Sequence, residues 1–136
     1  MSQQIFSGLA FMPIAWDDGY NKKGEPVTTK AIVVPPMTFS ASVNSFLVDL
    51  TQNNQMLSDE RIQTIYIHNP LTSTLVVTIS GTNFVLRIPA GYAYFGTIIA
   101  GDRPQITFSS TATSGTALAW ILNSAVFGAY TYALGA

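Results

Sequence analysis

Short alternating runs of apolar residues, each closed by glycine, proline or asparagine, constrain this chain more than any other feature. In Ile62–His68, Ile65 and Ile67 fall on one face and Tyr66 and His68 on the other. Asn69-Pro70 ends that run. In Thr74–Ile79, Leu75, Val77 and Ile79 alternate with Thr74, Val76 and Thr78, before Ser80-Gly81-Thr82-Asn83. Phe84, Leu86 and Ile88 alternate with Val85 and Arg87, and Pro89-Ala90-Gly91 turns the chain into Tyr92–Ile99. Ile106 and Phe108 mark another strand, and Ala117–Asn123 the last. A period of two is that of a half-buried strand. Strands spaced about 8–12 residues apart with turn residues between them predict a sandwich or barrel. The expected fold is all-β, an antiparallel β-sandwich of about seven or eight strands, compatible with a jelly roll.

Three segments follow. Residues 1–36 hold the Asp17-Asp18-Gly19 turn, the Lys22-Lys23-Gly24-Glu25-Pro26 loop and the Pro35-Pro36 break, and read as an N-terminal arm with extended pieces such as Thr29–Val34. Residues 37–126 form the sandwich domain, starting with an alternating strand through Phe39, Ala41 and Val43. Residues 127–136 form an uncharged C-terminal arm, able to add a strand to a neighbour's sheet. Thr51–Glu60 is a polar loop or a short helical turn, with Ser58-Asp59-Glu60 a weak cap candidate for such a turn, and Trp120, flanked by Leu118 and Leu122, is expected in the core. The stretch 117–129 also fits a helical period, through Leu118, Ile121, Leu122 and Ala125.

Charge then narrows the function. Only 10% of the 136 residues are charged, against about 25% in an ordinary soluble domain. From Arg61 onward the charged residues are Arg61, Arg87, Asp102 and Arg103. A free domain covers itself with mixed charges that oppose association, so a surface of this kind is expected to be covered by protein. The net charge of -1 and the scattered basic residues provide no footprint for nucleic acid. There is no cysteine, which excludes disulfides, thiolate metal sites and cysteine nucleophiles. The start, MSQQIFSGLAFMPIAW, has no positively charged segment ahead of an apolar core, so synthesis in the cytoplasm without export is expected. Residues 117–136 are uncharged, but Asn123, Ser124 and Thr131 interrupt them, and a span needs about 20 mainly apolar residues. A membrane partner is therefore not expected.

Catalytic constellations are missing. His68 is the only histidine, no Gly-x-Ser-x-Gly elbow exists, and a strand-end histidine is the plain reading. With one histidine and no cysteine, a transition-metal site would rest on carboxylates. Asp17-Asp18 and Asp59-Glu60 are adjacent pairs, neither spaced as a calcium loop nor opposed as in a glycosidase. No phosphate-cradling glycine loop is present. The expectation is a non-enzyme without cofactor or metal. The aromatic residues of the two arms, Phe6, Phe11, Trp16, Phe127, Tyr130 and Tyr132, are the candidate interface residues, since aromatics anchor protein contacts.

The run Ile62-Gln63-Thr64-Ile65-Tyr66-Ile67-His68-Asn69, then Leu75–Ile79, Gly81-Thr82, Arg87-Ile88-Pro89-Ala90-Gly91 and Trp120-Ile121-Leu122-Asn123, resembles small β-proteins of tailed-bacteriophage structural modules. In those an IQTIYIDN-like strand precedes a VPAG turn and a terminal FLN segment. The resemblance covers roughly residues 46–126. The chain departs from it at His68, where an aspartate is common, and in lacking a proline-rich segment after Asn123. The resemblance implies a virion structural protein, foremost a capsid decoration or cement protein. It would be a homo-oligomer, for instance a trimer, that binds the major capsid protein or another virion protein. A tail, fibre or spike component that binds host glycan through Tyr66, Tyr92 and Tyr94 is the first alternative, and a membrane-associated viral protein the second.

Overall fold

The computed structural model describes residues 2–9, 12–20, 26–51, 62–99 and 104–123. Among them are eleven strands: β1 (Ser2–Phe6), β2 (Met12–Tyr20), β3 (Pro26–Val33), β4 (Met37–Thr38), β5 (Val43–Asp49), β6 (Ile62–His68), β7 (Leu75–Ile79), β8 (Val85–Ile88), β9 (Ala93–Ile99), β10 (Gln105–Ser109) and β11 (Thr116–Asn123). They form two sheets, ordered β1-β5-β10-β7-β8 and β2-β3-β11-β6-β9, with β4 paired to the start of β11. The chain is all-β and sandwich-like, as the alternation predicts. Residues from Met37 onward supply β4 to β11, eight strands, and the first 36 supply β1, β2 and β3.

The pairing explains the order. β3 pairs with β11, β5 with β10, β6 with β9 and β7 with β8, all antiparallel. These four pairs are nested in sequence, so the chain is one long hairpin wound over itself. Two further antiparallel pairings, β6 with β11 and β7 with β10, close each sheet. Eight strands in two four-stranded halves wound this way are a jelly roll. β1 adds to the first sheet in parallel beside β5, and β2 adds to the second beside β3.

The inward faces meet in one core. It holds Phe39, Phe46, Phe108 and Met37 together with Ile65, Ile67, Leu75, Val77, Ile79, Ile88, Ile106 and Ile121, all buried. Ile32 and Val34, from the segment read as an arm, belong to the same core. Phe46 stacks on Phe6 with centroids 5.9 Å apart, and meets Phe39 edge-on at 4.9 Å. The inward residues assigned to β7, β8 and β10 are those observed.

One local expectation is corrected. Phe39 to Val43 is not one strand. The Ser40 N–H donates to the Val43 carbonyl at 2.9 Å, and the Val43 N–H donates to Ser40 Oγ at 3.0 Å. The serine hydroxyl gives the backbone a turn in place of a ladder, which leaves Ala41 exposed. The expected last strand, Ala117–Asn123, is observed as β11, and of its two possible periods the strand is the one realised, because its backbone is paired on both sides by β3 and β6. The remainder of the candidate helical and membrane segment, residues 124–136, lies outside the described residues, as does Ser58-Asp59-Glu60. No described helix is long and apolar enough to cross a membrane.

Asn69, fully buried, fastens the corners. Its Nδ2 donates to the carbonyls of Ile88 at 2.9 Å, Ser73 at 3.1 Å and Pro89 at 3.2 Å. Its Oδ1 accepts from the Leu71 N–H at 3.0 Å. Its backbone N–H donates to the Tyr92 carbonyl and its carbonyl accepts from the Gly91 N–H. The link between β6 and β7 is thereby tied to the turn between β8 and β9. That turn carries Gly91 at φ 81°, and the Tyr92 N–H closes it on the Pro89 carbonyl at 3.1 Å. A positive φ at this position suits glycine.

Gly115 does comparable work before β11. Its φ is +100°, and a Cβ there would sit 2.8 Å from Leu71 Cδ2. Its carbonyl accepts the Phe39 N–H at 2.8 Å. Gly115→Ala is expected to cost about 2 kcal/mol, since backbone held where L side chains rarely go costs about 1–3 kcal/mol. A chemical denaturation midpoint unchanged from the parent would refute this account of Gly115.

Candidate functional site

The second sheet has an unusual outer face. Because side chains alternate across a strand, burial of Ile65, Ile67, Ala117, Ala119 and Ile121 sends the intervening residues outward. Register then lines them up. Val33 is opposite Trp120, Trp120 opposite Tyr66, and Tyr66 opposite Phe95. One row of apolar and aromatic side chains therefore crosses four strands, β3-β11-β6-β9. Directly opposite Cβ atoms lie about 4.5–5.5 Å apart, and four strands at their usual spacing make the row about 14 Å long. Val33 is 39% exposed, Trp120 42% and Phe95 58%, while Tyr66 is half-buried.

The adjoining row is Leu118, His68 and Ala93, again in direct register. Leu118 is exposed and His68 half-buried. None of these seven positions is Asp, Glu, Lys or Arg. This corrects the expectation for Trp120. Both phases of β11 are apolar, and the fold buries the smaller one, Ala117-Ala119-Ile121, against a core already holding three phenylalanine rings. Close packing leaves room there for alanine and not for indole.

The aromatic residues singled out for glycan stacking do not share a face. Tyr66 points outward, Tyr94 is partly buried against the core opposite Ile67, and Tyr92 stands exposed at the turn. The aromatic residue opposite Tyr66 on β9 is Phe95. Of the candidate interface residues, Phe6 lies on β1, half-buried, and its ring stacks on Phe46 of its own core. Trp16 lies on β2, where the pairing with β3 is irregular between Ala15 and Tyr20; its side chain is outside the described set. Phe11, Phe127, Tyr130 and Tyr132 lie outside the described residues. Val33 and Phe95 went unassigned, and Tyr66 was not joined to Trp120, because alternation shows that a residue faces outward, not which residues on other strands stand beside it.

The outer face of the first sheet carries a shallow depression of about 620 Å³, lined by neutral side chains that include Asn44, Thr72, Thr74, Val76, Ser109 and Thr111. None of its lining residues is titratable near neutrality. Among the described residues no three His, Asp or Glu side chains group closely enough to hold a metal ion. Asp49, at the end of β5, receives the Thr51 hydroxyl at 2.6 Å and the Thr51 N–H at 3.0 Å. The hydroxyl bond first, then the backbone bond, holds its carboxyl below the usual range. Such a contact closes a strand end.

No protein-family model matches the chain, and no curated protein matches it in sequence. Among solved structures it is similar to the cupin domain of Schizosaccharomyces pombe Cnp3, at 8% identity and a TM-score of 0.34, covering 83% of this chain and 59% of that one. A candidate mannose-6-phosphate isomerase from Ralstonia eutropha is similar at 10% identity, with 86% and 83% covered and a TM-score of 0.29. A protein of unknown function from Acidithiobacillus ferrooxidans is similar at 15% identity, with 85% and 89% covered and a TM-score of 0.27. The chain spans 59% of the Cnp3 domain's length. At these scores the likeness is loose and decides no function, whereas the jelly roll stands on the strand order itself: the chain is a charge-poor β-sandwich of jelly-roll order with one uncharged aromatic face.

Proposed function

We propose that this chain is a non-enzymatic structural protein of a tailed-bacteriophage virion, a capsid decoration or cement protein that binds the shell as a homo-oligomer. The observation that carries the reading is the outer face of β3-β11-β6-β9, where Val33, Trp120, Tyr66 and Phe95 form an uncharged row. An exposed apolar patch of this kind marks an interaction surface. The resemblance over residues 46–126 to phage structural modules supports the same reading, as does a surface with few charges.

Energetics favour a repeated contact over a single one. A covered aromatic side chain buries about 150–250 Å². With about half of that still exposed, covering the three aromatics of the row removes about 300 Å² from water, worth about 7 kcal/mol. Association costs about 4–15 kcal/mol. One such face alone binds weakly, whereas several faces of an oligomer on a shell lattice bind with high avidity.

Size-exclusion chromatography with light scattering, on the purified chain with and without empty capsid shells, tests the proposal. The expected result is an oligomer that co-elutes with the shells. A monomer that ignores them overturns it. The second reading is a tail, fibre or spike component that stacks a sugar ring on Trp120, Tyr66 and Phe95, favoured by the exposure of Trp120 and Phe95. It predicts that Trp120→Ala abolishes binding on a glycan array, while an array without signal removes it.

A further inference from the structure

The depression on the outer face of the first sheet has a volume of about 620 Å³, within the range of about 300–1,000 Å³ found for small-molecule sites. Four separate stretches of chain meet around it. They are Asn44 at the start of β5, Thr72, Ser73, Thr74 and Val76 at the entry to β7, Ala90 in the turn between β8 and β9, and Ser109 to Thr111 at the end of β10. Hydrogen bonds fix these stretches relative to one another. The Ser73 carbonyl and the Pro89 carbonyl, next to Ala90, both accept from the buried Asn69 Nδ2, at 3.1 and 3.2 Å. The Asn44 carbonyl accepts the Ser110 N–H at 3.2 Å, and Ser110 Oγ accepts the Ala112 N–H at 3.1 Å. Ser109 stands directly opposite Val76 across β10 and β7. Walls held in this way need little further ordering when a ligand binds. The hydroxyls of Thr72, Thr74, Ser109 and Thr111 take no part in these bonds.

The lining chemistry selects the ligand. All nine lining residues are neutral, with hydroxyls and one carboxamide around Val76 and Ala90. A hard metal ion needs carboxylates. A phosphate or a nucleic acid needs cations, and Arg87, opposite Val76 on β8, is outside the lining. An added peptide strand needs a sheet edge for its main chain, whereas β10 lies between β5 and β7, and β7 between β10 and β8. A purely apolar ligand would cut hydroxyls off from water without pairing them, which costs free energy. An uncharged saccharide meets all of these conditions. Its hydroxyls both give and accept hydrogen bonds, as Ser, Thr and Asn side chains do. The C–H face of its ring can rest on Val76 and Ala90, and a shallow site leaves its remaining hydroxyls in water.

We propose that this end of the first sheet is a binding site for an uncharged saccharide of one or two rings. The site lies on the opposite side of the sandwich from the Val33–Trp120–Tyr66–Phe95 row. A copy whose second sheet is covered by protein still presents it. The proposal goes beyond the decoration reading and does not rest on it.

Amide nitrogen–proton NMR spectra of the labelled full chain, titrated with lactose, maltose and N-acetylglucosamine, test the site. At least one of these sugars is expected to move the signals of Thr72, Thr74, Ser109 and Thr111 saturably, with a dissociation constant of about 1–10 mM, as suits a small ligand in an open site. Thr74→Val with Ser109→Ala removes two hydroxyls without adding volume. That double variant should keep the parent's spectrum away from the site and bind at least about tenfold more weakly. The site is overturned if none of the three sugars gives a saturable shift, or if the double variant binds as the parent does. Shifts centred on Tyr66 and the Trp120 indole overturn it in favour of the aromatic face. A stronger response to N-acetylneuraminic acid than to the neutral sugars overturns the uncharged class. None of these results changes whether the parent co-elutes with capsid shells, so the decoration reading stands or falls separately.

Discussion

Asn69→Asp is expected to destabilise the protein by about 4 kcal/mol, a shift of roughly 15 °C in Tm for a domain of this size. The substitution changes almost no volume, so packing is not the cause. The Asn69 amide nitrogen gives hydrogen bonds to three carbonyl oxygens, of Ile88, Ser73 and Pro89, in a fully buried position. A carboxylate there would donate nothing and would direct negative charge at three acceptors. Buried polar groups left without partners cost about 1–3 kcal/mol each, more where a charge is involved. Stabilities of whole domains are about 5–15 kcal/mol, so this single change removes a large share. Burial also favours the neutral acid, which keeps one donor. The loss should therefore be smallest at acid pH and deepen as the pH rises. Asn69→Ala, which leaves the same carbonyls and the Leu71 N–H unpaired without adding charge, should cost about 3 kcal/mol. Thermal denaturation of both variants across pH checks this. A loss for Asn69→Asp below about 1 kcal/mol, or one independent of pH, would contradict the role given to Asn69.

Phe46→Ala is expected to cost a comparable amount, about 4 kcal/mol, through a different mechanism. Phe46 is fully buried on β5, stacked on Phe6 and edge-on to Phe39. Truncation removes apolar burial and leaves a cavity that two neighbouring rings, held by β1 and by the β4–β5 turn, cannot refill without moving backbone. Phe6→Ala should cost only about 1.5 kcal/mol, because Phe6 is half-buried and water can enter its place. The double variant should fall short of the sum by about 0.5–1.5 kcal/mol, the coupling of an aromatic pair. Urea unfolding of the two singles and the double measures this. Strict additivity would mean that the Phe6–Phe46 stack does not hold β1 to the sandwich.

The two substitutions also differ in how far sequence anticipates them. Phe46 lies in the apolar run Phe46-Leu47-Val48, so a core place for the run is legible in the sequence, although which phase is buried is not. Asn69 reads only as the residue that ends a strand before Pro70. Its partners at Ile88 and Pro89 lie nineteen and twenty residues away, and no local pattern brings them together.

What the sequence determined by itself is the all-β class and, within β6, β7, β8 and β10, which face of each strand turns inward. Period-two alternation acts within a single strand, so it is legible residue by residue. The tertiary structure decided which strands lie side by side. It wound the chain into a jelly roll, drew β3 from the first 36 residues into the roll beside β11, and placed Val33, Trp120, Tyr66 and Phe95 in one row. It also resolved β11, where both phases are apolar, by burying Ala117, Ala119 and Ile121 and leaving Trp120 outside. Pairing and register depend on the volume and hydrogen bonds that distant strands supply, and those are set only when the two sheets close on one another.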